Sequence, residues 1–186
     1  DSNMVMVAMR MDDVEKAKSL VHPHKYGEWF DVLPPGVSNR TVRARFKDAG
    51  HIFGSSFVEI EIIENVGDKP KRFVFSGDIG NNDVPILKDT ENLEPADVVV
   101  VESTYGGKED VLPPRMEAEE LLIQAIKKTI DRKGKVLIPE LGLGSAQETM
   151  LIIEDAIKSG FLPKIPVYID GMIWDINAIH TAYPDF

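Results

Sequence analysis

Residues 57–63 read Phe-Val-Glu-Ile-Glu-Ile-Ile, with Val58, Ile60 and Ile62 on one side and Glu59 and Glu61 on the other. Period-two alternation of this kind predicts a strand with one face on a core and the other in water. Residues 65–70 carry turn formers, and residues 72–75 read as the return strand of an antiparallel hairpin. Residues 98–101 are four consecutive valines, the pattern of a strand buried on both faces. Upstream, the pattern predicts a short helix over 12–20 and strands over 26–32 and 41–46, separated by a Pro/Gly-rich loop over 33–39.

Beyond the valine run the period changes. Ala118, Leu122, Ala125, Ile126 and Thr129 follow a helical repeat over 115–133, with Glu117, Glu119 and Glu120 near its start. Lys127, Lys128, Arg132 and Lys133 crowd its end, as the helix dipole favours, and Gly134 stops it. A strand over 135–139 follows, then a helix opened by Ser145-Ala146-Gln147-Glu148 as a capping box and closed at Gly160. A strand over 167–169 and a helix over 172–183 complete the chain. This alternation predicts an α/β architecture with parallel strands and crossover helices, and ligands beyond the strand carboxyl ends.

Candidate chemistry sits on those strand ends. His51 precedes the first hairpin strand and Asp78 follows the second, so an antiparallel hairpin brings both to one end. Gly77 permits a bend that aims Asp78 toward His51. An imidazole and a carboxylate are metal-type donors, but a catalytic zinc usually takes three protein ligands plus a water. The remaining histidines are His22, His24 and His180, and there are no cysteines. His22-Pro23-His24 has zinc-motif spacing without the Asp-His pair that would complete it, and reads as a surface loop before a strand. Glu102, at the carboxyl end of the valine run, is a candidate for orienting a histidine or substrate group; the alternative is a solvated glutamate at a hinge.

Composition narrows the classes. With 186 residues and 43% hydrophobic content the chain can bury a core. No apolar run approaches the ~20 residues of a membrane span, and no signal peptide is indicated. The lack of cysteine fits a reducing, cytoplasmic setting. A net charge of -10 argues against indiscriminate nucleic-acid binding, so an RNA role needs a local basic groove and bound metal. Gly142-x-Gly144 imitates a dinucleotide fingerprint, but Gln147 stands where the third glycine belongs. Ser145 lacks the context of a nucleophile and is better read as a cap. His180 reads as a packed or surface histidine, and Asp48 as a turn residue.

DAGHIFGSS, FSGDIG, VESTYGG, KVLIP followed by LGSAQE, and VYIDGMIWDINAIHTAYPDF, in that order, resemble the β-CASP branch of the metallo-β-lactamase superfamily. The likeness is to prokaryotic relatives of the cleavage and polyadenylation specificity factor endonuclease and of ribonuclease J, and spans about 12–186. It implies the later part of a metallo-β-lactamase αββα sandwich over 1–108 and the first parallel βαβ units of a β-CASP domain over 109–186. It also implies that His51 and Asp78 bind metal, Asp78 bridging two zinc ions, and that Glu102 supports a histidine from further along. The implied activity is hydrolysis of RNA phosphodiester bonds in mRNA 3′-end processing or RNA decay, with RNA as partner and a second copy of the chain as a candidate one. The HxHxDH motif is expected upstream of Asp1 and the later β-CASP histidines downstream of Phe186, so the isolated chain is expected to be inactive. Ser145 replaces the arginine of the family's GRAQE, which puts a phosphate contact there in doubt. A non-catalytic RNA- or protein-binding module of the same fold is the alternative.

Overall fold

The computed structural model describes residues 10–34, 36–37 and 39–183. The elements are α1 (Met11–Ser19), β1 (Phe30–Asp31), β2 (Thr41–Asp48), β3 (Ser56–Ile63), β4 (Lys71–Phe75), β5 (Val98–Val100), α2 (Arg115–Asp131), α3 (Ser145–Lys158) and α4 (Ile173–Ala182). The five strands form one sheet in sequence order, antiparallel from β1 to β4, with β5 parallel to β4. Pro35 and Ser38 of the expected loop lie outside the described residues.

The hairpin register inverts one expectation. On one face Val58 lies between Phe46 and Phe75, and Ile60 between Ala44 and Phe73, as the alternation predicts. On the other, Glu59 and Glu61 are not solvated: they are 0% and 1% exposed. The register places Arg45 opposite Glu59, and Arg43 and Arg72 on either side of Glu61. Arg45 Nε donates to Glu59 Oε2 at 2.6 Å, Arg43 Nε to Glu61 Oε2 at 2.7 Å and Arg72 Nη2 to Glu61 Oε1 at 2.6 Å. Trp29 lies under the Arg43 and Arg45 guanidinium groups, 4.7 and 4.5 Å from its ring centre. Segment 91–97 closes over this face through Glu94 on Arg72, Lys47 on the Asn92 carbonyl and Asp97 on the Arg72 amide. Burial pushes the Glu61 carboxyl up, and the hydrogen bonds from Arg72 and Arg43 outweigh it and hold the group below its ordinary value. Alternation reads a charged position as a wet one, and here cross-strand partners make it a dry one.

Three further expectations are corrected. The valine run is not buried on both faces: Val98, Val99, Val100 and Val101 are all exposed, and β5 is an edge strand that pairs with β4 alone among the described residues. Residues 135–139 and 167–169 join no ladder among the described residues, and Leu137 and Tyr168 stand 92% and 89% exposed. Sequence pattern sets extension, but a strand also needs a neighbour. Of the expected strand 26–32, Phe30–Asp31 pairs with β2 and Tyr26 makes a single bridge to Phe46.

The second half has its own core, with Ile126 of α2, Ile153 and Ala156 of α3, and Leu162 in contact, flanked by Ile130, Ile138 and Ile165. Arg115 at the start of α2 pairs with Glu119 and with Glu148 in the first turn of α3, so the two helices begin side by side. α2 ends two residues short of the expected limit: Lys133 takes a left-handed conformation (φ 58°) and the Gly134 amide bonds the Thr129 carbonyl at 2.9 Å.

Candidate active site at the end of the hairpin

The turn before β3 is shaped by its own polar side chains. Asp48 Oδ1 accepts the Gly50 amide at 2.8 Å, and Ser55 Oγ accepts the amides of His51 and Ile52 at 3.0 and 3.3 Å. Asp48 is thereby a turn residue. Gly50 has φ +63°, and a Cβ there would lie 3.0 Å from the Lys88 carbonyl oxygen, which glycine alone avoids without strain.

The turn after β4 packs onto it. The Gly80 amide donates to the Ala49 carbonyl at 2.8 Å, and a Cβ on Gly80 would sit 1.7 Å from the Gly50 oxygen and 2.4 Å from the His51 nitrogen. The turns that bear His51 and Asp78 therefore touch, through Gly80 on Ala49, Gly50 and the His51 amide, as hairpin geometry predicts. Both residues are exposed, and no hydrogen bond or ion pair engages either side chain among the described residues.

Glu102 belongs to the same end. Ser76, buried, donates its hydroxyl to the Gly77 carbonyl at 2.7 Å and accepts the Glu102 amide at 2.9 Å. Glu102 Oε1 in turn accepts the Ile79 amide at 2.6 Å, and Oε2 accepts the Thr104 hydroxyl at 2.5 Å. The Ile79 amide first, then the Thr104 hydroxyl and further off the charge of His51, hold the Glu102 carboxyl below its ordinary value. An ionised Glu102 fastens the backbone next to Asp78, which is a more defined task than that of a solvated hinge residue. Ser76, Ser55 and Gly80 were not marked by the sequence pattern. Gly80, two residues after Asp78 in Gly77-Asp78-Ile79-Gly80, is the one whose spacing offered a signal.

Zinc does not fit these residues alone. His51 and Asp78 are donors of the right kind, but no group of three histidine, aspartate or glutamate side chains converges as a metal cage among the described residues. His24 is stacked on Phe30 instead, 3.6 Å between ring centres. His180 packs edge-on against Phe53 at 4.8 Å.

The α3 N-terminus abuts this end, since a Cβ on Gly144 would meet Ile52 Cγ2 at 3.3 Å. The expected cap is corrected here. Gly144 (φ 92°) is the N-cap, and Ser145 is the first helical residue, with a buried Oγ that has no partner among the described residues. Gln147 does the work of the box: it accepts the Gly144 amide at 2.8 Å and donates to the Gly142 carbonyl and to Asn177 of α4. The two glycines thus serve a helix start, with Gly142 packed against Met172. Cations gather at the other end of α2, where Lys128, Arg132, Lys133 and Lys135 are exposed and in no ion pair among the described residues.

No protein-family model matches the chain. It is 42% identical over 162 residues to a protein of Methanothermobacter thermautotrophicus named transcription termination factor FttA, an alignment covering 87% of this chain and 24% of that protein. The chain is similar to transcription termination factors. The proteins of that name from Pyrococcus horikoshii (41% over 168 residues, 87% of this chain and 23% of the relative) and Lokiarchaeum (38% over 175 residues, 94% and 26%) agree. The chain spans about a quarter of the length of these curated relatives. No helix among the described residues is long and apolar enough to cross a membrane.

Proposed function

We propose that this chain is a segment of a zinc-dependent ribonuclease. In this reading residues 1–108 are the later part of a metallo-β-lactamase sandwich and residues 109–186 the start of a β-CASP domain. The observation that carries it is the meeting of the segments that bear His51, Asp78 and Glu102 at one sheet end, through the hydrogen bonds from the Gly80 amide to the Ala49 carbonyl and from the Ile79 amide to the Glu102 carboxylate. The name of the relatives, transcription termination factor, supports work in transcription. His51 and Asp78 would be two of the metal ligands, the others coming from outside these residues, and bound zinc would supply activated water to an RNA phosphodiester. Glu102 stays ionised and holds the Asp78 turn. The exposed cations at the end of α2 offer phosphate contacts on an otherwise acidic chain.

Two donors leave a zinc ion under-coordinated, so this chain by itself is expected to hold well under one zinc per molecule after mild chelation, read by elemental analysis. Stoichiometric retained zinc would contradict the division of ligands. In a full-length protein, His51→Ala and Asp78→Ala are expected to lose both zinc and RNA cleavage, whereas Glu102→Ala keeps zinc and cleaves more slowly. Equal zinc loss in all three variants would contradict the separate role of Glu102. The second reading, a non-catalytic RNA- or protein-binding module, draws on the lack of a third donor beside His51 and Asp78 among the described residues. A full-length protein that holds zinc but cuts no RNA would favour it.

A further inference from the structure

We propose that the pocket between residues 85–88 and the end of α4 is a nucleobase-stacking site, seating one base of a single RNA strand beside the His51 turn. The inference rests on the reading of this end of the sheet as one that meets RNA, and does not require that the RNA be cut. The pocket has a volume of about 350 Å³ and is lined by Phe53, Ile86, Leu87, Lys88, His180 and Tyr183. That is near the lower limit of ordinary ligand sites, which run from roughly 300 to 1,000 Å³.

Its chemistry selects a flat aromatic group with a polar edge. Pro85, Ile86 and Leu87 give an apolar wall, which suits a base and not a phosphate. Phe53 and His180 meet at 76° between ring planes, so each presents its ring differently to a third ring entering beside them. Tyr183, 57% exposed, supplies another aromatic surface at the mouth. His180 Nε2 is buried and has no hydrogen-bond partner among the described residues. Lys88 and Tyr183 in the lining carry the polar groups that the edge of a base would meet.

Position ties the pocket to the candidate centre. Phe53 follows His51 by two residues, so their Cα atoms are at most about 7.6 Å apart. The far wall is fixed to the same turn, since Gly50 is packed on the Lys88 carbonyl and the Thr90 amide. A base held here leaves its own phosphate next to the exposed His51 and Asp78.

The test measures binding and not turnover. With EDTA present, fluorescence anisotropy of this chain is compared on a labelled ten-nucleotide oligoadenylate and on an abasic strand of the same length. The base-bearing strand is expected to bind about tenfold more tightly, the scale of one base–aromatic stack. Phe53→Leu and Tyr183→Ala, each checked for unchanged circular dichroism, are expected to bring its affinity down to that of the abasic strand. Should Phe53→Leu fail to fold, the exposed Tyr183 carries the test. Equal affinity of the unaltered chain for the two strands, or a preference that survives both variants, would overturn the proposal. A base preference in a protein that never cuts RNA would keep the pocket and remove the nuclease. Cleavage by a full-length protein without a base preference would do the reverse.

Discussion

Arg45→Ala is expected to destabilise the chain by about 3–5 kcal/mol, the cost of leaving one charge of a buried pair without its partner. Glu59 is fully buried and Arg45 is the cation on its Oε2, while Oε1 has no hydrogen bond among the described residues. Removing the guanidinium also takes a cation from Trp29 and a contact from Glu94. The loss should appear as a lower urea midpoint with an unchanged slope. The double variant Arg45→Met with Glu59→Leu removes both charges and keeps the volume, and is expected to recover most of that stability, since a buried ion pair and a well-packed apolar pair are often equivalent. A single variant within about 0.5 kcal/mol of the parent would mean that Glu59 reaches water by another route.

Gly80→Ala is the second. A methyl group there would stand 1.7 Å from the Gly50 oxygen and 2.0 Å from its carbon, contacts with backbone that no side-chain rotation relieves. The two turns must part, which breaks the 2.8 Å bond from Gly80 to Ala49 and moves His51 away from Asp78. Overpacking of this kind costs about 1–3 kcal/mol, and the direct backbone clash places Gly80→Ala near the upper figure. On the proposed nuclease reading the functional effect is larger: about 1 Å of displacement between reacting groups can cost on the order of 100-fold in rate. In a full-length protein, cleavage and zinc content should fall together while Gly67→Ala, a left-handed glycine in the hairpin turn with open space around it, costs stability alone. Equal activity of Gly80→Ala and the parent would show that the turns are not coupled.

The placement of His51 and Asp78 was legible because it follows from hairpin geometry alone: two residues flanking paired strands must share an end. The setting of Glu102 was only half legible. Its position at a strand end could be read from the valine run, but its partners, the Ile79 amide and the Thr104 hydroxyl, lie on backbone that only folding brings near. Ser76 carried no signal, since a buried serine and a wet one look alike until the Glu102 amide is placed on it.

By itself the sequence determined the hairpin, the helices and the shared end of His51 and Asp78, because periodicity and turn chemistry act between neighbours along the chain. The tertiary structure decided which charges are dry, which extended segments become strands and which glycine lets two turns touch. Those depend on cross-strand register and on atoms distant in sequence: Glu59 is buried with Arg45 opposite it, and residues 135–139, extended by their pattern, join no ladder among the described residues.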